Sequence, residues 1–308
     1  MSVFASLFLN LLPLYALIFA GFVAGRYLNV DRQSIGTLAI YIFMPVVMFG
    51  FVADLDFKLE YVILPFLLYG ISAVVALSFL NLGKKIYGDN QANLMAMCAA
   101  MGNTGYFGLP LVLLFFPKEL IAIYIFMNLG ALIFEATIGY YIAARGNFDV
   151  RTSLMKIVGF PGIYAIALGL VFNQTGVELP EIFWTYWTHF KGAYVVVGMM
   201  IIGVALSQLD RFVFGVRFVS LTFAGKFMAL PLLAFAFVMI DRIWLHWFEK
   251  DIHHLIMIIS IVPPGANIAA FATKMNLQPE KAATTILIGT VFALFYIPLM
   301  IWLMGIGL

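Results

Sequence analysis

Residues 96–116 read AMCAAMGNTGYFGLPLVLLFF and residues 257–275 read MIISIVPPGANIAAFATKM. Each stretch is apolar over the length of a membrane-spanning helix, about 20 residues, and each is interrupted near its middle. The first carries Gly102, Gly105, Gly108 and Pro110, the second Pro263, Pro264 and Gly265. Proline removes a backbone donor and clashes with the preceding turn, whereas glycine tolerates the conformations a broken helix needs. Pro110 and Pro264 lie 154 residues apart, half of the 308-residue chain. Two interruptions at corresponding places in two halves are the sequence sign of a transporter's binding site. A split helix starts its second half near the membrane midplane, where its first N–H groups lack partners and its dipole end is positive. Two such ends converging favour an anion. Asn103 and Asn267, beside the breaks, offer amide donors to a carboxylate, and the backbone from Gly102 to Gly108 offers more.

The rest of the chain supplies the setting. It is 64% hydrophobic and only 10% charged, against about 25% charged in soluble domains, which excludes a water-soluble surface. Charge and turn clusters divide it into apolar segments near 4–25, 34–53, 61–83, 92–116, 120–144, 155–173, 189–208, 215–240, 252–273 and 283–305. Ten segments of this length read as helices, because barrel strands are about ten residues long and alternate strictly. The expectation is an all-α integral membrane protein. Phe4 to Val23 reads as a retained first helix and not a signal peptide, since its positive charges, Arg26 and Arg32, follow the apolar run.

One set of alternate connections holds eleven cations (Arg26, Arg32, Lys84, Lys85, Arg145, Arg151, Lys156, Arg211, Arg217, Lys274 and Lys281), and the opposite set holds five (Lys58, Lys118, Lys191, Arg242 and Lys250). The positive-inside rule places the richer face in the cytoplasm and both termini outside, in a cell (inner) membrane. The polar connection from Arg145 to Lys156 is too short for a cytosolic domain and separates five spans from five. A duplicated unit with an odd span count inserts its second copy upside down. That predicts a first repeat over 1–147 and an inverted second over 148–308.

Glu135 and Lys226 are the ionisable residues well inside the expected spans, where charge is costly and faces a cavity or a partner. Three readings stay open: a structural ion pair between them, Glu135 as a proton carrier, or Lys226 as a fixed cation that makes sodium unnecessary. Asn128 lies seven residues before Glu135 and shares its helix face, with a cavity residue and a packing hydrogen bond equally open to it. Tyr15, Tyr41 and Tyr106 are further cavity candidates. The four histidines, His189, His246, His253 and His254, fall in or beside outward loops without metal-helix spacing, and the single Cys98 excludes an internal disulfide. No metal and no cofactor are expected. GxSxG, HExxH and P-loop patterns are absent, which argues against an ATP-driven pump. A net charge of +2 provides no basic field for nucleic acid.

The segments TLAIYIFMPVVMFGFV (37–52), GNTGYFGLPLVLLFFP (102–117) and PPGANIAAFATKMNLQPEKAATTILIGTVFALFYIPL (263–299) resemble the auxin efflux carrier family, related to bile acid/sodium symporter-like transporters. The resemblance covers essentially the whole chain, and GNTGYFGLP is its most specific part. It implies ten helices in a 5+5 inverted repeat, with scaffold and transport domains and crossing, broken helices 4 and 9. It also implies an elevator-like transporter of small organic anions, such as indole acetate, malate or malonate, and a homodimer. Substrate contacts are then expected at Asn103, Gly105, Tyr106, Pro110, Asn128, Pro263, Pro264, Gly265 and Asn267, with Glu135 and Lys226 as coupling or structural charges. An inside-negative potential contributes about 2.3 kcal/mol per charge per 100 mV, so an uncoupled monoanion runs outward. The alternatives are a sodium- or proton-coupled symporter of the bile acid type and, from another class, an intramembrane enzyme or a receptor. The expected spans hold no aspartate to serve an intramembrane hydrolase.

Overall fold

The computed structural model describes residues 3–87, 90–144, 150–209 and 211–305. These are helical, and their only strand-like pairing is a single bridge. In chain order the helices are α1 (Val3–Tyr27), α2 (Arg32–Ala53), α3 (Leu59–Tyr87), α4 (Gln91–Ala100), α5 (Thr104–Phe115), α6 (Lys118–Ala143), α7 (Val150–Val158), α8 (Pro161–Thr175), α9 (Glu181–Ser207), α10 (Val216–Leu245), α11 (Lys250–Ile261), α12 (Asn267–Lys274) and α13 (Pro279–Met304). Seven of them, α1, α2, α3, α6, α9, α10 and α13, are long and apolar enough to cross a bilayer.

The other three expected spans are the places where helices stop short. The fourth is divided into α4 and α5, and the ninth into α11 and α12. The sixth divides at Pro161: Phe160 before it is extended, so the amphipathic α7 ends and the 15-residue α8 begins afresh. Arg145 and the expected repeat boundary at 147/148 lie outside the described residues, as does the side chain of Lys156.

Local sequence explains several ends. Asp31 caps α2, its carboxylate accepting from the Ser34 backbone N–H (2.7 Å) and hydroxyl (2.8 Å). The Ser34 hydroxyl, followed by the N–H groups of Ser34 and Gln33, holds that carboxyl below the usual range. Gly305 ends α13 with φ 65°, which glycine adopts without a β-carbon clash.

Proline shapes the interiors. Pro45, Pro110 and Pro231 each follow a π-helical turn by two residues, the turns being Ala39–Phe43, Thr104–Gly108 and Ala224–Ala229. A proline offers no N–H to the carbonyl four residues back and pushes it away, and the wider turn absorbs the displacement. At Pro231 the freed carbonyl is that of Phe227, which accepts the Tyr296 hydroxyl at 2.6 Å. Pro110 therefore widens a turn within α5 and is not a break point, contrary to the matching of Pro110 with Pro264 read from the sequence.

Small residues set the helix packing. Gly21 and Gly25 on α1 form a GxxxG pair against Gly203 and Ser207 on α9. A β-carbon on Gly203 would run into the Ile18 carbonyl, one on Gly21 into the Met200 carbonyl, and one on Gly25 into the Ser207 hydroxyl. Apolar tails give lipid no preference over protein, so such close approach is what holds membrane helices together. Gly203→Val is expected to destabilise the fold by about 1–3 kcal/mol or more, seen as a lower Tm in detergent. An unchanged Tm would contradict this packing. α8 packs on α2 in a similar way, with Gly162 beside Met48 and Gly169 beside Val52.

Candidate functional site

The two interrupted stretches meet. α4 ends at Ala100, Met101 is extended, and the backbone stays non-helical through Asn103 before α5; α11 ends at Ile261, and Val262 to Ala266 lead into α12. Gly102 and Pro264 form an antiparallel bridge. The Asn103 N–H donates to the Pro263 carbonyl at 2.8 Å, and the Gly265 N–H donates to the Met101 carbonyl at 3.0 Å. Unwound backbone at membrane depth survives only if its polar groups find partners in protein, and here each break serves the other. Pro263 and Pro264 add no donors that would need satisfying. The break in the first stretch is centred on Gly102, eight residues before Pro110.

A cavity of about 120 Å³ opens beside this crossing. Asn103, Gly105, Tyr106, Asn128, Glu135, Lys226, Gly265 and Asn267 line it. Pro263 and Pro264 are buried in the bridge behind the wall, and Pro110 is buried within α5. Tyr15 donates to the Thr290 carbonyl at 2.7 Å and Tyr41 is largely exposed, so neither lines the cavity. Four polar or charged lining groups, Thr104, Tyr106, Glu135 and Lys226, sit in π-helical turns, an irregularity frequent at functional positions.

The polar side of the cavity is under-satisfied. Asn103 is the N-cap of α5, yet its side chain makes no capping bond; only 5% exposed, it leaves Nδ2 buried without a partner. Asn128 Oδ1 is also buried and unpartnered. Buried amides left this way cost stability and call for an explanation. Asn267, the first residue of α12, points its amide at Glu135, with Nδ2 at 3.2 and 3.3 Å from the two carboxylate oxygens.

Lys226 is fully buried, and among the described residues it enters no ion pair. Its Nζ lies 3.4 Å from the Ser260 carbonyl. In an unbroken helix that carbonyl would receive the N–H of residue 264, which is proline here, so the lysine stands in for the missing donor. The same Nζ would be 2.9 Å from a β-carbon on Gly102, just past the end of α4. The amine head thus rests between the C-terminal ends of α4 and α11, where the helix dipoles favour a cation.

Sequence reading missed several features. Met44, Met48, Leu68, Leu129 and Phe160 give the cavity an apolar side, but in a chain with 16 methionines and 31 phenylalanines nothing marks them. Arg32, counted only as a loop cation, is half-buried and donates to the Ala266 carbonyl at 3.2 Å at the start of α12. Asp241 is wholly buried, accepting from Trp247 N–H, Phe248 N–H and His253 Nε2 at 3.1, 3.1 and 2.8 Å. Among the described residues no three His, Cys, Asp or Glu side chains cluster closely enough to hold a metal ion.

The model of a family described as membrane transport protein matches residues 6–301. The chain belongs to this family. It is the auxin efflux carrier-like group of membrane transport proteins. The transporter is also similar to a protein described as an uncharacterized transporter of Methanocaldococcus jannaschii, 26% identical over 281 residues, covering 88% of this chain and 89% of that one. A second protein so described, from Methanothermobacter thermautotrophicus, is 24% identical over 209 residues, covering 67% and 66%.

Proposed function

We propose that this membrane transport protein is a secondary transporter that moves a small carboxylate by alternating access, with the carboxylate held where the two broken helices cross. The observation that carries this reading is the Asn103 amide, buried and unpartnered in a cavity beside the starts of α5 and α12. Two helix N-termini and two amides form a site for an anion, and the apolar side of the cavity takes the body of an organic one.

On this reading the protein has ten spans in two inverted repeats, 1–147 and 148–308, with the cation-rich face in the cytoplasm. The packing supports the repeat: α1 against α9 and α8 against α2 exchange under the swap of halves. α1, α2, α8 and α9 form the scaffold, and the remaining helices around the crossing carry the cargo. The cavity lies between the two groups, Met44, Met48 and Phe160 on one side and the crossing on the other, as an elevator-like displacement requires.

Lys226 is read as the fixed cation of the crossing. A lysine ammonium already compensates the negative ends of α4 and α11, so a sodium ion there would meet like charge. Purified protein in proteoliposomes is therefore expected to catalyse counterflow of at least one of malate, malonate and indole acetate in sodium-free buffer. No counterflow with any of the three would refute the carboxylate reading, and counterflow only with sodium would refute the role of Lys226.

A further inference from the structure

The Asn267 amide already binds a carboxylate, and the carboxylate is the protein's own. Both Glu135 oxygens approach its Nδ2, at 3.2 and 3.3 Å. Asn267 opens α12, an eight-residue helix whose N-cap, Ala266, has no side chain able to cap it. Glu135 thus sits at the positive end of that helix, where an anion is stabilised. Across the same cavity the Asn103 amide, 95% buried, waits without a partner. One amide is filled from within the protein, and the other is empty.

We propose that Glu135 is a tethered occupant of the cargo's anion slot, which leaves Asn267 when a carboxylate cargo arrives and takes up a proton as it goes. This rests on the carboxylate reading above and adds the coupling to it. A cargo carboxylate bridging Asn103 and Asn267 needs the donor that Glu135 now holds. Two carboxylates sharing one half-buried site do not both stay ionised, since each disfavours the charge of the other. The proton comes from water at the cavity mouth and joins a Glu135 oxygen; no other reactant is required.

The titratable and charged groups around Glu135 fit this assignment. Tyr106 of α5 lies within electrostatic range of both Glu135 and Arg32 of α2. Lys226 of α10 lines the same cavity. Lys274 is on α12 with Asn267, and α7, which packs on the same turn of α6, carries Arg151 and Lys156 in its sequence. The cations support one anion in the cavity at all times, first the glutamate and then the cargo. A monocarboxylate then crosses together with a proton and without net charge. The membrane potential no longer drives it outward, and an inward proton gradient drives uptake.

The test is proton release or uptake on loading, measured with a pH indicator and with equilibrium binding of malate, malonate and indole acetate to the purified full-length protein. Wild type is expected to take up about one proton per cargo anion, and its affinity to rise about tenfold per pH unit on acidification. Glu135→Gln is expected to bind about tenfold more tightly at neutral pH, with no proton uptake and a flat pH profile, while Glu135→Asp keeps both. Zero proton uptake by wild type on loading overturns the proposal without recourse to any variant. Binding that depends on Asn103 but keeps its proton count in Glu135→Gln overturns the coupling alone. Binding of none of the three probes overturns the coupling together with the reading beneath it.

Discussion

Asn103→Ala is expected to weaken carboxylate binding by about 10- to 150-fold, the equivalent of the roughly 1.5–3 kcal/mol that a hydrogen bond to a charged group contributes. The same change should leave the fold as stable as before or slightly more so. The Asn103 side chain makes no capping bond to α5 and its Nδ2 has no partner; removing an unsatisfied buried group relieves a cost. The backbone N–H that closes the crossing on the Pro263 carbonyl at 2.8 Å is kept by alanine. Lost binding at unchanged Tm is the pattern of a residue held for a ligand. A lower Tm with unchanged affinity would make Asn103 a packing residue and remove the main support for the site.

Lys226→Met is expected to reduce counterflow by more than 100-fold. Methionine fills a similar volume but leaves the Ser260 carbonyl without the donor that Pro264 cannot supply, and leaves the ends of α4 and α11 electronegative. An unsatisfied buried acceptor costs about 1–3 kcal/mol, so a moderately lower Tm accompanies the loss. High sodium is expected to restore part of the activity of the variant while doing nothing for wild type, because a small cation then has room at the crossing. Full activity in Lys226→Met would show that the lysine is neither donor nor counter-charge.

The paired interruptions were legible because glycine and proline act through the backbone, and their effect does not wait on tertiary contacts. Their position was less so. Pro110 reads as the midpoint of its stretch, but a widened turn accommodates it inside α5, and it lies eight residues beyond the true break at Gly102. Asn103, Glu135, Lys226 and Asn267 were each visible as polar residues out of place in apolar segments. That Glu135 meets Asn267, 132 positions away, while Lys226 turns to Ser260 is a fact of the folded chain with no periodicity to announce it. The Asp241–His253 pair was hidden for another reason. Both residues fall at span edges, where charge is unremarkable, and only the turn between α10 and α11 buries them together.

Segment length and helix length do not coincide. Apolar residues form ten segments, while among the described residues seven helices are long and apolar enough to cross a bilayer unbroken. The shortfall falls at the two broken stretches and at α8, where Pro161 restarts the chain. A hydropathy window averages across such interruptions, and the backbone does not.

The central claim is that the crossing holds the cargo. The most direct measurement is an electron cryo-microscopy map of the protein with whichever of malate, malonate or indole acetate gives counterflow. The account predicts density for a carboxylate within hydrogen-bonding distance of the Asn103 and Asn267 amides, with the Glu135 side chain swung away. Cargo density elsewhere, with Glu135 still on Asn267, would contradict it.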